Sequence, residues 1–286
     1  MVLVLIAYLL LLVMLYVLPG RNYADIVEQL DKKLYPARAL LPLGLYLIDT
    51  LKYSFNTGYD RRIFAALAQL HGNKPARMML KVHLGNKISL MLLSILFVLF
   101  VGLFSTLDAG YIVFGISLPI GIAIYTDRDL FERVKKRKLA IQLEFPDFVN
   151  KLTLLINAGM TVSKAWEKIA WDGGRHTPLY LELRAAIQDI RAGTPEHRSY
   201  EEFAKRCRVP VITRFVSVIL QNIRKGNAEL VPILRVYANE CWELRKSTAK
   251  RLGEEASTKL LLPMMLMFIA ILLIVGMPAV LSLRNI

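Results

Sequence analysis

Two uncharged runs of membrane-spanning length restrict this chain more than anything else in it. Ile88 to Leu107 holds no charged residue, and neither does Leu260 to Leu283. About twenty consecutive apolar residues are what a helix needs to cross the hydrocarbon core of a bilayer. Inside that core each backbone polar group must be satisfied within the segment, so both runs are expected to be helices. A third run, Tyr111 to Tyr125, follows the first after only Asp108-Ala109-Gly110 and is interrupted by nothing stronger than Gly115, Ser117, Pro119 and Gly121. The first and third runs together read as a transmembrane hairpin. A fourth, Val2 to Leu18, ends at Pro19-Gly20 and sits at the short end of spanning length. A signal peptide would want basic residues before the apolar run and a small-residue cleavage site after it. Neither is present, so this segment is expected to be an uncleaved anchor.

The charges are segregated from these runs. Lys and Arg outnumber Asp and Glu by 37 to 23, although 55% of the residues are hydrophobic. Residues 21–87 hold 11 basic against 5 acidic residues. The hairpin tip carries no Lys or Arg, whereas Lys81 and Lys87 precede the hairpin and Arg128 to Lys138 follow it. The positive-inside rule then places the segments 20–87 and 126–259 in the cytoplasm, with the tip and both termini outside. Within the first of these segments, Ala39 to Ile48 is apolar but short, and Pro42 and Gly44 interrupt it. It is expected to lie at the interface or against protein rather than to span. Arg62 to Leu70 reads as a short amphipathic helix stopped by His71-Gly72-Asn73. The run Asp127 to Lys138 is read first as a topology signal and a solvated helix face. The alternative makes Arg133, Lys135, Lys136, Arg137 and Lys138 a contact for anionic lipid or an acidic partner.

Between Phe145 and Leu252 the apolar residues follow a helical period. Phe145, Phe148, Val149, Leu152, Leu155 and Ile156 share one face; Gly159 ends that helix, and Thr161 caps the next, whose face is Val162, Ala165, Trp166, Ile169 and Ala170. Glycines recur at Gly159, Gly193 and Gly226, 34 and 33 residues apart, each between two amphipathic helices. They are read as structural turns. After Gly193 the pattern resumes at Ser199, where Ser199-x-x-Glu202 has the form of a capping box. The period invites a tetratricopeptide reading, but that repeat's Trp, Gly-x-x-Tyr and Ala positions do not recur. The fold class expected is all-α: a six-helix cytoplasmic bundle of three glycine-turned pairs on about four transmembrane helices. Past Pro232 near its start, the last helix meets no strong breaker before Pro263 apart from Gly253, and it leads directly into the final span.

Catalytic signatures are missing. There is no GxxxxGK[ST] phosphate loop and no HExxH, and His71, His83, His176 and His197 lie apart, in expected turns or helix flanks. They read as surface or capping histidines. Asp172-Gly173-Gly174 reads as a turn, because no strand precedes it. Cys207 and Cys241 read as free thiols of a reducing compartment. No catalytic, metal-ligating or cofactor-binding residue is expected. No span carries an internal Asp, Glu, Lys, Arg or His, which argues against a pump or a transporter. Nucleic acid is not an expected partner, since no recognition-helix signature accompanies the positive charge.

The chain resembles the type II secretion system F family. The resemblance rests on Phe145-Pro146-Asp147-Phe148 opening a helix, the Asn157-Ala158-Gly159-Met160 turn, Ala165, Gly193, Arg206 with Val209-Pro210, and Gly226 followed by Leu230 and Leu234. It continues through Glu243-Leu244-Arg245, Glu254-Glu255-Ala256, Lys259 and Pro263. The single bundle behind an anchor and a hairpin looks most like the tight-adherence (Tad) pilus members, TadC more than TadB. The resemblance implies a non-enzymatic platform protein of the cytoplasmic membrane. Such a protein would dock a hexameric secretion ATPase, pair with itself or a paralogous platform protein, and pass motion to pilin subunits being lifted from the lipid. A membrane-anchored scaffold or signalling protein, whose bundle binds a soluble regulator, is the alternative.

Overall fold

The structure, a computed structural model, describes residues 2–18, 23, 27–28, 35, 38–104, 108–171, 177–223 and 227–284. Among these the chain is all-α. Its helices are α1 (Val2–Val17), α2 (Leu41–Thr50, entered through a 3-10 turn at Arg38–Leu40), α3 (Gly58–His71), α4 (Asn73–Val101) and α5 (Ala109–Asn157). They continue with α6 (Val162–Trp171), α7 (Pro178–Arg191), α8 (Glu196–Cys207), α9 (Pro210–Ile223) and α10 (Asn227–Arg284). Two compact units are present, Met1–Arg137 and Lys138–Ile286.

In the first unit, α4 and α5 are each long and apolar enough to cross a membrane. α1 has 16 residues, about 24 Å at 1.5 Å per residue, short of a hydrocarbon core of about 30 Å. It packs on α4, and the Tyr8 hydroxyl donates to the Leu92 carbonyl at 2.9 Å. The uncharged run expected from Ile88 to Leu107 is not itself the helix. α4 begins at Asn73, directly after Gly72 breaks the chain at φ +87°, and ends at Val101. Helix formation follows the backbone breakers, while the absence of charge marks only the part suited to lipid. The short apolar segment packs as α2 against α4, burying Leu41, Leu45 and Ile48. α3 starts at Gly58 rather than Arg62 because Thr57 and Asp60 form a reciprocal capping box. Its inner face, Ile63, Ala66 and Leu67, shares a small core with Ala76 and Leu80 of α4 and with Leu130 and Val134 of α5.

α5 runs through Pro119 and Pro146 without interruption. Phe145-Pro146 therefore does not open a helix, contrary to expectation. Pro146 lacks the N–H that would reach the carbonyl of Gln142, yet Phe145 and Phe148 on either side are buried in the second unit's core. Packing outweighs the local penalty there.

That core draws on α5 to α10. Trp166 is fully buried, with ring centroids 4.9 Å from Phe148, 4.5 Å from Tyr200 and 5.2 Å from Phe203, and Phe215 lies 5.1 Å from Phe145. α8 begins at Glu196, with Pro195 as its N-cap, so the Ser199 capping box does not form. The Ser199 N–H already serves the helix by donating to the Pro195 carbonyl at 3.1 Å, and its side chain is fully buried. Proline's fixed φ starts the helix one turn early. α10 passes through Gly253 and Pro263 as one helix of 58 residues. Its Leu230, Leu234, Ala238 and Cys241 join the core, whereas every side chain from Leu260 to Val275 is exposed within the chain. Lys250–Glu254 and Arg251–Glu255 are i,i+4 ion pairs on its charged stretch.

Both cysteines are free and buried, and burial pushes the Cys241 thiol up to about 11. A protonated thiol out of water is a poor nucleophile. We expect the native chain in detergent to take up no maleimide label in the time that fully labels it in denaturant. Labelling of Cys241 at equal rates in both states would contradict the core placement of α10.

Candidate functional site

The densest polar cluster lies where α3, α4 and α5 meet. Asp127, just past the uncharged part of α5, accepts from Lys87 Nζ at 2.7 Å and from the Tyr59 hydroxyl at 2.7 Å. His83 Nε2 stands 3.2 Å from the same carboxylate. Lys87 Nζ also donates to the Tyr59 oxygen at 2.9 Å and lies 4.8 Å from that ring's centroid. Burial, and then the Asp127 carboxylate, hold the Tyr59 phenol well above its usual range, so it stays a donor. Next to Tyr59 on α3, Asp60 is 1% exposed and accepts from the Thr57 N–H and hydroxyl and from Tyr53. A second polar tie joins α2 to α4. Ser89 Oγ donates to the Leu40 carbonyl at 2.8 Å and accepts from the Gly44 N–H at 3.1 Å. The geometry is that of a clamp: it fixes helices at the charged end of a hairpin.

This corrects the reading of His83 as a surface or capping residue. It is buried against Asp127, because a lysine and a carboxylate at matching depth on two helices create a polar pocket there. The signal was available in sequence: Lys87 ends the charged stretch before one run, and Asp127 opens the stretch after its neighbour. His71 does sit in the last turn of α3, and His197 is exposed in the first turn of α8. Burial, with Arg133 and Arg137 nearby, keeps His71 below its usual value, hence neutral at pH 7. His176 lies outside the described residues, as does the Asp172-Gly173-Gly174 turn.

All five candidate contact cations stand on α5. Lys135 and Lys136 are exposed, whereas Arg133, Arg137 and Lys138 are half-buried. Arg133 pairs with Asp129 one turn back. Of the predicted turn glycines, Gly159 and Gly193 have φ of +92° and +94°. Each closes a Schellman motif: Met160 N–H reaches the Leu155 carbonyl at 3.1 Å, and Thr194 N–H that of Asp189 at 3.0 Å. Gly226 lies outside the described residues. The turn between α8 and α9 uses a non-glycine residue, Arg208 at φ +51°. Thr161 accepts from the Lys164 N–H at 3.4 Å, as its capping role predicts. Arg206 ties α8 to α7, with Nε 2.7 Å from Glu182 and Nη1 3.2 Å from Asp189. Burial raises the Tyr200 phenol to about 12.

Residues 148–278, just under half the chain, match the family described as Type II secretion system (T2SS), protein F. The chain thus carries a T2SS protein F domain that begins within α5, takes in α6 to α9 and ends within α10. Neither a curated protein nor a solved structure matches it.

Proposed function

We propose that this chain, with its T2SS protein F domain over residues 148–278, is a non-catalytic, multi-pass membrane platform protein of a secretion or pilus-assembly machine. On this reading it crosses the cytoplasmic membrane through the α4–α5 hairpin and α10, with the shorter α1 as a fourth crossing, and α6 to α9 lie in the cytoplasm. A cytoplasmic secretion ATPase docks from below, and pilin subunits are the cargo. The Tad-pilus type is the finer assignment, on the strength of the anchor and hairpin that precede a single domain.

The observation that carries this reading is α10. Its first turns form part of the second unit's core, and the same unbroken helix becomes the apolar segment from Leu260 onward. At 1.5 Å per residue, 58 residues extend about 87 Å. A displacement imposed on the core by a cytoplasmic motor is therefore carried along a hydrogen-bonded rod into the bilayer.

The reading is tested by reconstituting the full chain in lipid nanodiscs and titrating the secretion ATPase encoded nearby, with ATP turnover as the readout. Saturable binding with altered turnover supports it; an ATPase that ignores the chain removes it. The juxtamembrane cations Lys135, Lys136 and Arg137, of which the two lysines are exposed and Arg137 half-buried, are proposed to strengthen docking through long-range charge. Reversing Lys135, Lys136 and Arg137 to Glu is expected to weaken binding about tenfold at low salt, with membrane insertion intact. Unchanged binding and unchanged salt dependence would remove these cations from the interface.

A further inference from the structure

Trp171, at the end of α6, is a large apolar side chain that the second unit's core leaves outside, 47% exposed. A lone exposed apolar residue needs no explanation. This one is framed. The guanidinium carbons of Arg184 and Arg191 on α7 each lie 5.7 Å from its ring centroid. Arg184 is held in place by its Nε–H donating to the Ala170 carbonyl at 2.9 Å, and Arg191 by its pair with Glu167. On α6, Lys164 and Lys168 precede Trp171 at helical spacing and are exposed. On α7, Leu181 stands one turn before Arg184 and is 51% exposed. Among the described residues the face thus presents two apolar side chains among four cations, with Glu167 between them.

We infer that this α6–α7 face is a docking surface for an acidic surface of a soluble protein, with the Trp171 indole as its anchor. The composition is that of an interface centre. Tryptophan and arginine are the residues on which binding energy concentrates, and stacking on an aromatic face orients a guanidinium toward planar carboxylates. Lys164 and Lys168 add charge that steers an acidic partner. An anionic lipid surface is the less suitable occupant, because basic lipid-binding clusters adjoin a span directly. Trp171 stands 46 residues after Tyr125 and 89 before Leu260.

The partner tested rests on the proposed function: the secretion ATPase encoded nearby, titrated against the full chain in nanodiscs. Trp171→Ala and the pair Lys164→Glu/Lys168→Glu are each expected to weaken binding about tenfold or more, with the melting midpoint unchanged. Trp242→Ala, at an exposed tryptophan on α10, serves as the control and should bind like wild type. If wild type binds and both patch variants bind equally well, the docking assignment is wrong while the platform reading stands. If wild type does not bind, the platform reading fails and takes the docking assignment with it. A defect seen only in discs containing anionic lipid would give the face to the membrane and overturn the proposal.

Discussion

Asp127→Ala is expected to destabilise the first unit by about 2–4 kcal/mol. The carboxylate is the acceptor on which Lys87, Tyr59 and His83 converge. Removing it leaves the Lys87 ammonium on a side chain 18% exposed, with the Tyr59 oxygen as its remaining partner here. Breaking a fully buried ion pair from one side costs about 3–5 kcal/mol. The lower range follows from the solvent that still reaches about a fifth of each side chain. The check is the thermal midpoint of the full chain in detergent, followed by loss of monodisperse protein. Asp127→Ala/Lys87→Met should recover at least half of the lost stability, because removing both charges also removes the desolvation penalty. If the double variant is no better than Asp127→Ala, the loss does not come from an uncompensated charge.

Where the sequence was readable, backbone and burial agreed. The apolar faces of the end of α5 and of α6 at helical period became core, and two of the three turn glycines show the left-handed backbone for which glycine is suited. Helix ends were less legible, because they depend on caps. Thr57 with Asp60 starts α3 early, and Pro195 starts α8 one turn before a serine–glutamate pair that only looks like a cap. Pro146 misled for a related reason: the local penalty is real, but the aromatic residues beside it are held by partners far along the chain. The Asp127 clamp is not assembled by a residue-by-residue reading, because Lys87, His83 and Tyr59 each lie 40 or more positions before Asp127 and meet it only once the hairpin closes. The α6–α7 face is similar. Trp166 and Trp171 are five residues apart on one helix, and only the packing shows that the first is buried and the second outside.

The close approach of α2 to α4 was equally out of reach, and it supplies the other large expected effect. Gly44 was read as an interruption of a short apolar segment, yet it is a contact point. A Cβ added there would stand 1.9 Å from the Gly85 carbonyl oxygen and 2.8 Å from Ser89 Oγ. The nearest obstacle is backbone of a long helix, so a side-chain rotation cannot relieve it; the two helices must separate. That separation also strains the Ser89 bridge to Gly44 and Leu40. Gly44→Ala is therefore expected to cost about 3 kcal/mol, at the upper end of overpacking effects. Gly85→Ala looks symmetrical in sequence but not in space. Its added Cβ would meet the end of the Leu45 side chain, Cδ2 at 3.0 Å and Cγ at 3.2 Å, which can shift. Its cost should stay near 1 kcal/mol or below, helped by alanine's better helix propensity in α4. Thermal midpoints of the two variants in detergent decide the matter. A Gly44→Ala midpoint well below that of Gly85→Ala places the backbone of α4 against that of α2. Equal midpoints would mean the helices cross farther apart, with side chains rather than a bare backbone contact holding α2 in place.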